Sequence, residues 1–117
     1  MNIRLIINGA TINATLNDSA TARDFAAQLP LTLTLSDYHQ TEKMIDLPDR
    51  LSTSGAPEGT TPQAGDLAYF APWGNLAVYY RSAPYFSGVI KIGELDNAGI
   101  EQLSAADNGT VTIETAS

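Results

Sequence analysis

The chain carries few side chains that could perform acid–base or nucleophilic chemistry. His39 is the only histidine and cysteine is absent, which excludes thiol catalysis, disulfide bonds and metal sites built from cysteine or several histidines. His39 lies in a polar segment, where a surface histidine is the simpler interpretation. An activated serine would need a Gly-x-Ser-x-Gly elbow, which does not occur. We therefore predict no catalytic residue and no metal site.

Sequence motifs that bind nucleotides are also missing. There is neither a Gly-x-x-x-x-Gly-Lys-Ser/Thr loop nor a Gly-x-Gly-x-x-Gly motif opening a helix. Thirteen acidic against six basic side chains give a net charge of −7, which disfavours binding to phosphate backbones or anionic membranes. We expect no cofactor, no nucleic-acid partner and no membrane partner.

The most distinctive segment is residues 65–81, which contains the single tryptophan and half of the other aromatic residues. Trp73 occupies a Pro-Trp-Gly turn between two predicted strands. It could plug the end of a core, or it could line the mouth of a pocket. We predict that Tyr69, Phe70, Trp73 and Tyr80 line a ligand-binding cleft.

Two arginines are candidates to act with this aromatic segment. Arg50 enters a long loop, and Arg81 leaves the aromatic strand. A guanidinium beside an aromatic surface suits a carbonyl or carboxylate group of a ligand. Ion pairing with the many acidic residues is the alternative. We predict that Arg50 and Arg81 lie at the rim of the cleft.

Regular hydrophobic patterns predict the elements that position these residues. Residues 3–7 and 11–16 alternate around Asn8-Gly9, which predicts a hairpin. Ser19 or Thr21 can cap a helix that is anchored by Phe25 and ends before Pro30. Further strands are predicted over residues 31–35, 43–47, 66–71, 75–81, 89–95 and 110–115, with a second helix over 97–104.

Two irregular segments separate the later strands. Residues 51–65 are rich in Ser, Gly and Pro and show no periodicity, as in many lids and binding loops. We interpret them as a pocket-lining loop, with a merely structural loop as the alternative. Residues 82–88 form another loop and carry Tyr85 and Phe86.

Length and patterning together define the fold class. The 117 residues suffice for a single domain, and neither half could bury a core alone. Seven or eight short strands with two short helices predict a mainly β protein, an antiparallel barrel or sandwich. No apolar run is long enough to span a bilayer and the N-terminus lacks signal-peptide features, so we expect a soluble, acidic, cytoplasmic protein.

A series of short motifs runs along nearly the whole chain: Leu29-Pro30-Leu31-Thr32-Leu33, Asp46-Leu47-Pro48, Gly55-Ala56-Pro57 with Gly59, Gly65-Asp66, Pro72-Trp73-Gly74-Asn75 and Gly93. In this order they resemble the small bacterial and archaeal cyclophilin-like domain family. The resemblance implies a closed antiparallel β-barrel related to cyclophilins, with a few helices packed at its ends. Most of these small families are of unknown function.

The same resemblance raises the question of peptidyl-prolyl isomerase activity. True cyclophilins place an arginine beside an apolar groove, with signatures close to Phe-His-Arg and Phe-x-x-Gln-Gly-Gly-Asp. Here His39 is followed by Gln40, and Gly65-Asp66 lacks the preceding Gln-Gly. No catalytic residue is therefore carried over to this chain.

Three functional hypotheses follow from the sequence. The preferred one is a module that binds a small molecule or peptide in an aromatic-lined groove or barrel-mouth cleft. The second is a weak prolyl isomerase, since isomerisation needs no nucleophile and Arg50 or Arg81 could donate to the prolyl nitrogen. The third is an interaction or structural subunit, a monomer or a homodimer formed through Tyr85 and Phe86.

Overall fold

A computed structural model describes residues 1–116 of the chain, which form ten strands and two helices. The strands are β1 (Asn2–Ile7), β2 (Ala10–Leu16), β3 (Leu31–Tyr38), β4 (Glu42–Asp46), β5 (Gly59–Thr60), β6 (Asp66–Phe70), β7 (Asn75–Tyr79), β8 (Phe86–Ser87), β9 (Val89–Leu95) and β10 (Gly109–Thr115). The helices are α1 (Ala20–Ala27) and α2 (Asn97–Ala105). None of the described helices is long and apolar enough to cross a membrane.

Eight of the described strands close into an antiparallel barrel in the order β1-β10-β3-β4-β7-β6-β9-β2. The first strand pairs with the last, from Ile3 opposite Thr115 to Ile7 opposite Val111, so neither is an exposed edge. At the β2–β9 junction, a side chain at Gly93 would collide with the carbonyl oxygen of Thr15, so glycine is needed there. The predicted fold, a closed mainly β barrel with two short helices, is confirmed.

The barrel interior is filled by one face of each strand. In β1 and β10, Leu5 and Ile113 are opposite each other, and both are almost fully buried. The alternation predicted from the sequence places these residues inside because successive side chains of a strand point to opposite faces. The interior is a packed core.

Helix α1 begins and packs as its sequence predicts. Ser19 is the N-cap, and its hydroxyl accepts a hydrogen bond from the amide of Ala22 at 3.1 Å. Phe25 is fully buried in the same apolar cluster as the barrel interior. Phe25 therefore anchors the helix to the core.

Two short strands, β5 and β8, were not predicted. They pair in a two-stranded ribbon, with Gly59 opposite Ser87 and Thr60 opposite Phe86, inside the segments that the sequence assigns to loops. A strand of only two residues shows no alternating pattern in the sequence, and its partner strand lies more than twenty-five positions away along the chain. The ribbon joins both loops over one side of the barrel.

A second apolar cluster lies outside the barrel. It consists of Met44, Ala68, Ala77, Tyr79 and Val89, which belong to the adjacent strands β4, β7, β6 and β9. These residues alternate with interior residues of the same strands, so they face outward. They are nevertheless buried, because the loops and the ribbon lie over this part of the wall.

Candidate functional site

A cleft of about 320 Å³ opens on the outer wall of the barrel. Its volume falls near the lower end of the range for small-molecule sites, roughly 300–1,000 Å³. We call it the wall cleft. It is lined by Tyr38, His39, Thr41, Glu42, Met44, Pro62, Phe70, Trp73, Ala77, Tyr79, Ala83, Pro84, Phe86 and Val89.

The floor of the wall cleft is made by outward-facing residues of the strands. Met44 on β4 is opposite Ala77 on β7, and Phe70 on β6 is opposite Val89 on β9. Ala77 is small, so the floor is low between its larger neighbours. Strand register therefore fixes the shape of the apolar floor.

A continuous series of aromatic rings borders the wall cleft. We call His39, Tyr38, Trp73, Phe70 and Phe86 the aromatic arc. The ring centroids of its successive members are 4.1, 5.7, 5.2 and 5.6 Å apart, and every pair is packed edge to face. Edge-to-face packing is a favoured geometry for aromatic pairs. The contacting rings therefore form a continuous aromatic wall along one side of the cleft.

The turn that carries Trp73 is held in place from two sides. The amides of Trp73 and Gly74 donate to the carbonyl oxygen of Phe70 at 3.3 and 2.9 Å. Arg50 donates to the carbonyl oxygen of Ala71 at 2.8 Å, and its side chain packs beside Gly74. Arg50 thus supports the turn from behind and does not line the cleft.

The opposite wall comes from the ribbon and its flanking loops. Gly88 has a φ of 90°, and a Cβ there would lie 2.7 Å from Cδ of Pro72. Glycine therefore permits the ribbon to approach the Trp73 turn. The Ala83 amide donates to the carbonyl oxygen of Pro62 at 3.0 Å, which joins the two loops over the floor.

One corner of the wall cleft is polar. Glu42 on β4 lies between Tyr38 on β3 and Tyr79 on β7, each of which is its register partner. The Oε2 atom of Glu42 is buried and has no hydrogen-bond partner. Burial raises the pKa of Glu42, although the Tyr79 hydroxyl partly offsets that effect. Burial, and the nearby Glu42 carboxylate, also raise the pKa of Tyr79.

The sequence-predicted site residues are only partly brought together. Phe70 and Trp73 line the wall cleft. Trp73 is 56% exposed on the outside of the barrel, so it does not plug the core. Tyr69 alternates with Phe70 and points into the interior, where its hydroxyl accepts a hydrogen bond from the Leu51 amide at 3.1 Å.

The remaining two predicted residues lie beside each other, away from the cleft lining. Arg81 is exposed, and its guanidinium carbon is 5.9 Å from the ring centroid of Tyr80. Tyr80 is buried, and its hydroxyl donates to Oδ1 of Asp37 at 2.6 Å. The ammonium of Lys43 contacts the same oxygen at 3.1 Å and donates to the carbonyl of Ala106 at 2.8 Å. Tyr80 therefore belongs to a structural network.

This network should make stability depend on Asp37. The Tyr80 hydroxyl and the Lys43 ammonium hold the pKa of Asp37 below its usual value, and burial and the Asp37 carboxylate raise the pKa of Tyr80 to about 12. Asp37→Asn leaves the buried Lys43 ammonium without its carboxylate, so we expect a loss of about 1–2 kcal/mol at pH 7. Chemical denaturation measures the loss.

The pH dependence of that loss has a fixed sign. The folded-state pKa of Asp37 is lowered, so its contribution is complete above the unfolded value of 3.8 and is lost as the pH falls through the folded value. The difference in the free energy of unfolding between wild type and Asp37→Asn should therefore shrink as the pH falls below 3.8. Asp107→Asn, in an exposed loop, is the matched control. A gap that is constant with pH would contradict the assignment.

Sequence reasoning missed most of the wall cleft. Tyr38, Glu42 and Met44 lie in a stretch whose mixed polarity resembles a surface. A usable signal was present in β6 and β7, whose apolar runs are nearly continuous, as in strands that are buried on both faces.

In the described part of the chain, no three His, Asp or Glu side chains are grouped as metal ligands.

Comparison with known proteins identifies a family that matches the sequence and solved structures that share the fold. The model of a family described as the cyclophilin-like family matches residues 5–114. No functionally curated protein matches the sequence.

Two solved structures share the fold at low sequence identity. One is the solution structure of the hypothetical protein AF2241 from Archaeoglobus fulgidus, with 22% identity, a TM-score of 0.74, and coverage of 99% of this chain and 95% of that one. The other is McbB in complex with tryptophan, with 14% identity and a TM-score of 0.72. That match covers 97% of this chain but 44% of McbB, so this chain spans less than half of that protein.

Proposed function

This chain belongs to the cyclophilin-like family, and from that premise we propose that its wall cleft binds a small molecule with an apolar body. The observation that carries the proposal is the apolar floor with its continuous aromatic arc, on the outside of a closed barrel. None of the floor or arc residues belongs to the apolar cluster of the barrel interior. We propose Tyr38, Phe70, Trp73, Tyr79 and Phe86 as the apolar contacts.

The exposure of the arc supports binding. Trp73 and Phe86 are 56% and 58% exposed, although they are large apolar side chains. Exposed aromatic clusters in a concave site are typical of ligand-binding surfaces. McbB was solved with tryptophan, so a flat aromatic molecule is a reasonable first probe for this chain.

Prolyl isomerase activity receives less support from the same geometry. That hypothesis assigned a donor role to Arg50 or Arg81, and neither side chain lines the wall cleft. Arg50 is engaged with the Trp73 turn, and Arg81 lies beside Tyr80. We expect no acceleration in a protease-coupled assay with proline peptides.

Self-association is a second candidate function. Tyr85 is 54% exposed, and it neighbours Phe86 and faces solvent with it. Two such rings could form the centre of a homodimer contact. Light scattering after size-exclusion chromatography tests this. A dimer that Tyr85→Ser dissociates would support it, whereas a monomer at high concentration would exclude it.

The experiment for ligand binding uses Trp73 as its own reporter. Since it is the single tryptophan and borders the wall cleft, 2-phenylethanol bound there should give a saturable change in its emission. Phe70→Ala should weaken that binding, because Phe70 contacts both Trp73 and Phe86. Tyr85→Ala, which removes an exposed ring that does not line the cleft, should not. Equal binding by all three proteins would refute the site.

A further inference from the structure

We propose that the ligand of the wall cleft is an organic ammonium ion, with its apolar body on the aromatic arc and its ammonium group at Glu42. This inference rests on the proposed function and specifies the ligand class. It follows from three features of the cleft: an unpartnered carboxylate oxygen, a set of aromatic rings, and the charge balance of the lining.

The first feature is the carboxylate of Glu42. Its Oε2 atom is buried without a hydrogen-bond partner, and no ion pair involves Glu42 within residues 1–116. A buried carboxylate oxygen without a hydrogen-bond donor is costly, so a donor that arrives with the ligand would recover part of that cost. A charge-assisted N–H···O bond from an ammonium satisfies this requirement.

The second feature is the set of rings around that carboxylate. Tyr38 and Tyr79 are the register partners of Glu42, on either side of it, and both line the wall cleft. Aromatic faces attract cations through their quadrupole. An ammonium bound to Glu42 would therefore lie beside two aromatic rings as well as a carboxylate. The Glu42 corner therefore favours a cation over a neutral donor.

The third feature is the balance of charge along the lining. Among the described lining residues Glu42 is the only carboxylate, and none is lysine or arginine. Lys43 follows Glu42 but points to the other side of the strand, where Asp37 and the Ala106 carbonyl hold its ammonium. The chain as a whole carries −7, which attracts cations and repels anions. An anionic ligand would find neither lysine nor arginine in the cleft lining.

The test compares three ligands that share a phenyl body and differ in charge. Phenethylamine is a cation, 2-phenylethanol is neutral, and 3-phenylpropionate is an anion at pH 7. Isothermal titration or Trp73 emission gives each dissociation constant. We expect phenethylamine to bind at least about tenfold more tightly than 2-phenylethanol, because its ammonium can form a charge-assisted hydrogen bond. We expect 3-phenylpropionate to bind most weakly of the three.

Glu42→Gln isolates the role of the carboxylate. It keeps the size of the side chain and removes its charge, so the preference for phenethylamine should fall to about twofold or less, while 2-phenylethanol binds as before. Because it also removes a buried charge, this variant should be as stable as wild type or more so. Asp46→Asn, on the same strand but outside the lining, is the matched control and should retain the preference.

His39, which follows the end of β3, is a second ionisable group in the lining of the wall cleft. Its variant tests whether the preference for a cation depends on the imidazole or on the Glu42 carboxylate. His39→Asn suits the φ of 52° at this position and removes the imidazole. Because His39 belongs to the aromatic arc, both phenethylamine and 2-phenylethanol should bind more weakly to this variant, whereas the ratio of their dissociation constants should persist.

The outcomes distinguish the two proposals. If all three ligands bind equally, or if Glu42→Gln keeps the preference, the ammonium proposal is wrong and the wall cleft remains an apolar site. If none of the three produces saturable binding, both the ammonium proposal and the proposed function are wrong.

Discussion

Ala77→Phe is expected to abolish ligand binding while the barrel stays folded. Ala77 lies on the outward face of β7, in the floor of the wall cleft and opposite Met44. A benzyl group there projects into the cleft volume that the ligand would occupy. We expect the affinity for phenethylamine to fall at least about tenfold, because the apolar contacts that supply most of its binding energy are lost.

Stability is the control for this variant. The added ring can lie against the aromatic arc, so the free energy of unfolding should fall by about 1–3 kcal/mol, the typical cost of added volume. Ala98→Phe, on the exposed face of α2, gives the same substitution outside the cleft and should leave binding intact. Undiminished binding to folded Ala77→Phe would show that the ligand site lies elsewhere.

Phe25→Ala is expected to have the opposite effects. Phe25 is fully buried and joins α1 to the apolar interior of the barrel. Truncation of a buried phenylalanine leaves a cavity and typically costs about 3–5 kcal/mol, a large part of the stability of a small domain. Urea denaturation followed by Trp73 emission or circular dichroism measures this loss.

Binding is the control for the Phe25 variant. Phe25 does not line the wall cleft, so protein that remains folded should bind phenethylamine with unchanged affinity. Arg23→Ala, on the exposed side of the same helix, should cost less than about 1 kcal/mol, since it removes exposed contacts with the carboxylate and the carbonyl oxygen of Asp18. A Phe25→Ala protein as stable as wild type would contradict its place in the core.

Local patterns predicted the parts of the fold that local chemistry specifies. Asn8-Gly9 specifies the hairpin turn because both residues adopt a positive φ, 51° and 83°. Ser19 supplies a cap, and Phe25 an apolar anchor, within a few residues of each other. The β5–β8 ribbon was missed because its pairing depends on the closed barrel, which brings two distant loops together.

The candidate site was harder to predict for a related reason. The sequence drew attention to Tyr69 and Tyr80, whose residue types suit a ligand site, but alternation places Tyr69 inside the barrel and Asp37 binds Tyr80. Trp73 was identified because it stands in a Pro-Trp-Gly turn between two strands, and Phe70 because it belongs to the aromatic segment that leads into that turn. Glu42 acquires its significance only from its neighbours on β3 and β7.

The most direct test is a ¹H–¹⁵N correlation spectrum of the labelled protein titrated with phenethylamine. If the wall cleft binds organic ammonium ions, saturable shift changes should be confined to the amides of residues 38–44, 70–79 and 83–89 and to the Trp73 indole, and Glu42→Gln should weaken them. Shifts that map to the α1 or α2 surface, or an unchanged spectrum at millimolar ligand, would contradict the wall cleft as the functional site.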